Sequence, residues 1–187
     1  MTDWHRLFGL ALMDLFTGSR YVVELEKDLS ARRQFVDVII IEQAEGEPPE
    51  DLPDGLETLG KHNLLTYKSH QEPLDSWALD ELIGHYVNYR KQISPSPEDL
   101  CPIEEFRLYG VCTRYPQKLA REETLHPENE GTYTIMRGTH QIRIIVLNQI
   151  PEIPKNALWD LFSATPKKVQ YGAAQYRWRT PDYSTAV

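Results

Sequence analysis

Apolar residues recur along the chain with two different periods, and each change of period marks a new element. Over residues 4–16, Leu7, Phe8, Leu10, Ala11, Leu12, Leu15 and Phe16 form a broad stripe at helical spacing, and Gly18 supplies a stop. Residues 20–26 read as a strand, with Tyr21, Val22, Val23 and Leu25 as its β-prone side chains. A turn over 28–33 leads into a second strand over 34–42. Its segment Phe35-Val36-Asp37-Val38-Ile39-Ile40-Ile41 is apolar except for one carboxylate. A run of this kind is buried on both faces, as interior strands of α/β sheets are. Pro48, Pro49 and Pro53 with Gly46 and Gly55 make 43–56 a surface loop.

The third strand, 63–69, reads Asn63-Leu64-Leu65-Thr66-Tyr67-Lys68-Ser69. Asp75 or Ser76 starts the clearest helix of the chain. Ala78, Leu79, Leu82, Ile83, Tyr86 and Val87 make one face of it, and Asp80, Glu81, Asn88 and Lys91 lie off that face. Ser94-Pro95-Ser96-Pro97 ends it. A strand over 106–113, a break at Tyr115-Pro116 and a short helix over 117–121 follow. Then come a hairpin of 132–136 and 141–147 around Gly138, a short helix over 157–164, and a polar-aromatic tail over 171–187. The order α-β-β-β-α-β-α-β-β-α predicts an α/β fold, a mixed sheet covered by helices. The length of 187 residues fits a single domain, with its core over about 4–150 and a C-terminal helix and tail over 151–187.

Charge and composition narrow the function classes. No apolar run approaches the ~18 residues of a membrane span, and the N-terminus lacks a signal-peptide layout. Cys101 and Cys112 form no disulfide framework or zinc pattern, so reduced thiols in a cytoplasm are expected. The net charge of −8 speaks against simple electrostatic binding of nucleic acid. However, Glu42, Glu45, Glu47, Glu50, Asp51, Asp54 and Glu57 fall within one stretch that has no Lys or Arg. That acidic loop leaves room for a neutral or basic face elsewhere. Arg143, Lys167, Lys168, Arg177 and Arg179, interleaved with Tyr171, Tyr176 and Trp178, are the candidates for such a face. The six histidines show no zinc spacing. His85 is expected at the edge of a helix's apolar face, and Cys112 in the core.

The candidate chemistry centres on Asp37. A carboxylate in a buried strand is costly unless it is paired, hydrogen-bonded or metal-bound. If the strands over 34–42 and 63–69 lie side by side, Asp37 and Lys68 share one site. Positions 66 and 68 point the same way because strand side chains alternate. Metal-assisted phosphodiester hydrolysis needs carboxylates to hold magnesium and a donor to steer the attacking water. An acid at 66 would complete that set, but the residue there is Thr66, whose hydroxyl is a weak magnesium ligand. A structural pair of Asp37 with Lys68 or Arg33 is the alternative.

The helix, the strand carrying Asp37, the strand ending in Lys68 and the following helix resemble the PD-(D/E)XK nuclease superfamily. The segments Leu52-Pro53-Asp54-Gly55-Leu56, His62-Asn63-Leu64-Leu65-Thr66-Tyr67-Lys68-Ser69 and His85-Tyr86-Val87-Asn88-Tyr89-Arg90-Lys91 resemble a group of mostly uncharacterised bacterial proteins. That group is related to recombination-promoting nucleases and transposase-related proteins. The resemblance covers residues 4–150. It implies a restriction-endonuclease-like fold, cleavage of DNA with Mg2+, Asp37 as first metal ligand and Lys68 as catalytic lysine. The acid expected two residues before the lysine falls on Thr66; a substitute could come from elsewhere in space, with Glu24, Glu26, Glu42 and Asp14 as the candidates. Two further readings stay open: an inactive descendant serving as a binding or interaction module, and a homodimer joined through the helix over 75–91.

Overall fold

The computed structural model describes residues 4–28, 35–43 and 46–180. Helix α1 (Trp4–Phe16) leads into strands β1 (Tyr21–Asp28), β2 (Phe35–Glu42) and β3 (His62–Lys68). Helix α2 (Ser76–Ile93) connects them to β4 (Phe106–Cys112). Helix α3 (Gln117–Glu122) precedes β5 (His126–Asn129), β6 (Thr132–Arg137) and β7 (His140–Val146). Helices α4 (Ala157–Asp160) and α5 (Pro166–Gln175) follow. Among the described residues, no helix is long and apolar enough to cross a membrane.

The seven strands form one mixed sheet in the order β1-β2-β3-β4-β7-β6-β5. The pairs β1/β2 and β2/β3 are antiparallel, and β3/β4 and β4/β7 are parallel. The pairs β6/β7 and β5/β6 return to antiparallel. The expected α/β class with helices flanking a mixed sheet is therefore present. Strand β5 was not anticipated: its four residues, His126-Pro127-Glu128-Asn129, are all exposed at the sheet edge and carry no apolar alternation. Helix α5 takes in the first residues of the expected tail, Tyr171 to Gln175, and begins earlier, at Pro166; that proline and Gly172 mask a ten-residue helix. The expected helix over 157–164 ends at Asp160. The turn after Asp28, Arg33 and residues 181–187 lie outside the described residues.

Alternation in β2 explains why Val38 to Ile41 are all apolar. Val38 and Ile40 face a core built with Phe8 and Leu12 of α1 and Trp159 of α4. Ile39 and Ile41 face a second core with Leu79, Leu82 and Tyr86 of α2. Full burial of a large side chain such as these contributes about 1.5–3 kcal/mol. Gly9 lets α1 sit close to β1: a Cβ there would stand 2.5 Å from Leu25 Cδ2. Helix α2 starts where Asp75 caps it, accepting a hydrogen bond from the Ala78 amide at 3.1 Å. Gly84, in the middle of α2, costs about 1 kcal/mol against alanine. No packing explains it, since a Cβ there would meet nothing within 4 Å.

Candidate functional site

Asp37 lies near the start of β2, one step beyond the pair Val38↔Leu65, which sets it abreast of Thr66. Its carboxylate is held from three directions. The Thr66 hydroxyl donates to Oδ2 at 3.0 Å, and the Tyr67 backbone amide donates to the same oxygen at 2.8 Å. His5, in the first turn of α1, places Nδ1 2.9 Å from Oδ1. The other ring nitrogen of His5 lies 2.8 Å from Glu72 Oε2, in the segment between β3 and α2. One imidazole thus bridges two carboxylates.

The charge states follow from these contacts. The hydrogen bond to Asp37, against a smaller opposing effect of burial, raises His5 to about 9; the charges of Asp37 and Glu72 add to the rise. His5 is therefore an imidazolium at neutral pH, donating from both nitrogens. Burial alone would raise the Asp37 carboxyl. The hydrogen bond and charge of His5, the Tyr67 amide and the field of Lys68 outweigh it, so Asp37 stays below the usual carboxylate range. Hydrogen bonds involving charged groups contribute about 1.5–3 kcal/mol each, enough for several to offset partial burial. Lys68 is half-buried on β3 and acts on Asp37 through its field. His85, lowered by burial in α2, feels both Asp37 and Lys68.

The structure thus gathers Asp37, Lys68 and Thr66 on one strand pair, as the alternation of side chains implied. It adds His5 and Glu72, which sequence reasoning missed. His5 sits on a helix, 32 positions from Asp37, and neither it nor Glu72 belongs to a spaced motif. Two of the substitute acids, Asp14 and Glu42, have partners of their own away from Asp37. Asp14, fully buried, accepts hydrogen bonds from the Tyr176 hydroxyl (2.8 Å) and the backbone amides of Arg179 (3.0 Å) and Thr180 (2.5 Å). Glu42 pairs with Arg20 at 3.1 Å. Glu24 stands opposite Ile39, and its charge acts on Tyr89 of α2. Glu26 belongs to β1, and its side chain lies outside the described residues.

A divalent magnesium ion needs several free oxygen donors at short range. Here Oδ1 of Asp37 faces an imidazolium, Oδ2 receives two donors, and Thr66 spends its proton on Asp37. The imidazole ring stands between Asp37 and Glu72. The donor set as arranged does not fit magnesium, and among the described residues no three His, Cys, Asp or Glu side chains group to hold a metal.

The expected basic face is partly consumed inside the fold. Lys168 is buried, its ammonium donating to the Leu147 and Ile150 carbonyls and to Asp160. Arg143 lies between Glu57 at 3.6 Å and Glu128 at 3.0 Å. Tyr176 serves Asp14. A cavity of about 350 Å³, lined by Tyr86, Phe106, Arg107 and His140 among others, opens where β4 and β7 begin. That is the opposite end of the sheet from Asp37, and the cavity shares no residue with the Asp37 cluster. Cys112 and Tyr86 are core residues, as expected.

No family model matches the chain, and no curated protein or solved structure matches it either.

Proposed function

We propose that the chain carries a restriction-endonuclease-like fold and works as a non-catalytic binding module, its former metal centre closed by His5. The fold reading is supported by the order α1-β1-β2-β3-α2-β4, with β3 parallel to β4, Asp37 on the second strand and Lys68 on the third. The observation that carries the functional reading is the bridge of His5 between Asp37 and Glu72, next to a Thr66 hydroxyl that donates to Asp37. An internal cation supplies the positive charge that half-buried Asp37 requires, and a hydroxyl replaces the second acid. Plasmid and linear DNA incubated with the purified protein and Mg2+ or Mn2+ test this directly. Intact DNA, and no calorimetric Mn2+ binding, are expected; cleavage abolished by Asp37→Ala would contradict it.

A second reading is retained metal-dependent cleavage of DNA, with Asp37 as ligand and Lys68 as the catalytic lysine. It is favoured by the position of Lys68 two residues after Thr66, its field on Asp37, and a further carboxylate, Glu72, one ring away. The same cleavage experiment decides between the two.

A further inference from the structure

Helix α2 packs one face on the sheet through Leu79, Leu82 and Tyr86 and leaves another open. Trp77, Asp80, Glu81, Gly84, Val87 and Lys91 are all exposed, and their spacing puts them on one stripe along the helix. Trp77 is 68% exposed and Val87 43%, on a helix whose inner face is fully packed. At the midpoint of the stripe stands Gly84, whose missing side chain leaves open space. A large exposed aromatic, a flat centre and a terminal cation on one face call for a partner.

We infer that this face docks against the same face of a second copy of the chain, the two α2 helices antiparallel about a two-fold axis at Gly84. Self-complementarity selects this occupant. In a two-fold pairing, positions equally far from Gly84 meet. Trp77 and Lys91 are each seven residues away, about 10.5 Å along the axis at ~1.5 Å per residue. Each Trp77 therefore receives Lys91 of the other copy, an ammonium over an indole face. Glu81 falls opposite Val87, one turn from that same Lys91, and supplies a carboxylate beside it. The pair forms twice. Gly84 lets the helix axes approach more closely than larger side chains would at the crossing. Asp80, already paired with Arg137, stays out of the exchange. The inference is independent of the Asp37 cluster and holds whether or not that centre is active.

Sedimentation equilibrium of the full chain over a concentration series tests it. A monomer–dimer equilibrium is expected. Gly84→Leu inserts bulk at the crossing while favouring the helix, so it should give a monomer with an undiminished melting temperature. Lys91→Glu should weaken the dimer by about tenfold or more, and E81K/K91E, which reverses both charges, should recover part of that loss. Trp77 emission should shift to the red on dilution of the wild type and be insensitive to dilution in Gly84→Leu. A wild type that stays monomeric at every concentration would overturn the inference, leaving the face to a different protein. A dimer indifferent to Gly84→Leu would overturn it as well.

Discussion

The Thr66 hydroxyl donates a hydrogen bond to Asp37 Oδ2 across 3.0 Å, from the strand position where the resemblance places an acid. A carboxylate there would meet Asp37 with like charge. Thr66→Glu should therefore lower the melting temperature in metal-free buffer, and Mn2+ should restore part of the loss. Thr66→Val keeps the volume but removes the donor. It should cost about 1 kcal/mol in denaturant titration and be indifferent to Mn2+. A metal response of the wild type equal to that of Thr66→Glu would contradict this account.

The His5 bridge predicts the shape of the stability–pH curve. His5 is raised from 6.5 to about 9 by the fold, so its contribution is complete below 6.5 and is lost as pH rises through about 9. Asp37 is lowered, so its contribution is complete above its ordinary value of 3.8 and is lost as pH falls further. Stability from this pair should plateau between those two ordinary values. His5→Ala should flatten the alkaline limb between pH 6.5 and 9 in chemical denaturation at several pH values. An unchanged alkaline limb would show that His5 is not the titrating group.

Asp14 ties the segment after α5 to α1 through three hydrogen bonds. Asp14→Ala leaves those donors without their acceptor and should destabilise the chain by about 3 kcal/mol. Limited proteolysis should then cut near Tyr176–Thr180 faster than in the wild type. Cleavage at the same rate would remove the strapping role.

Lys168 and Asp160 form a buried pair, in which burial raises the Asp160 carboxyl to about 6 despite the lysine. Lys168→Met strands that carboxylate and should cost about 3–5 kcal/mol at pH 8. Without the lysine, which lowers it, the carboxyl lies higher still and takes up its proton above the wild-type value of about 6, so the loss should shrink as pH falls from 8 towards 6. Denaturation midpoints at pH 8 and pH 5 check the difference; equal losses at both would contradict it.

Much of the fold was legible because its strands and long helix obey simple periods. The nearly continuous apolar run in β2 announced a strand buried on both faces, and alternation announced that positions 66 and 68 of β3 share a face. Asp75 and Ser94-Pro95 bounded α2 almost to the residue. Strand β5 escaped because an exposed edge strand needs no apolar code. The site was only half legible. Asp37 betrays itself as a carboxylate in an apolar strand, whereas His5 and Glu72 matter only through tertiary proximity. Neither carries a local signal, and a lone histidine in the first turn of an amphipathic helix reads as surface. The C-terminal basic residues misled for a related reason: a lysine such as Lys168 looks solvated until the partner that buries it is known.

In this site an imidazolium, not a metal, satisfies Asp37. NMR titration of the His5 ring, with and without Mn2+, tests it most directly. Both ring nitrogens should be protonated at neutral pH, with a midpoint near 9 that falls in Asp37→Asn and no selective broadening of His5 by Mn2+. A midpoint near 6.5, or Mn2+ broadening His5 and Glu72 while restoring DNA cleavage, would contradict it.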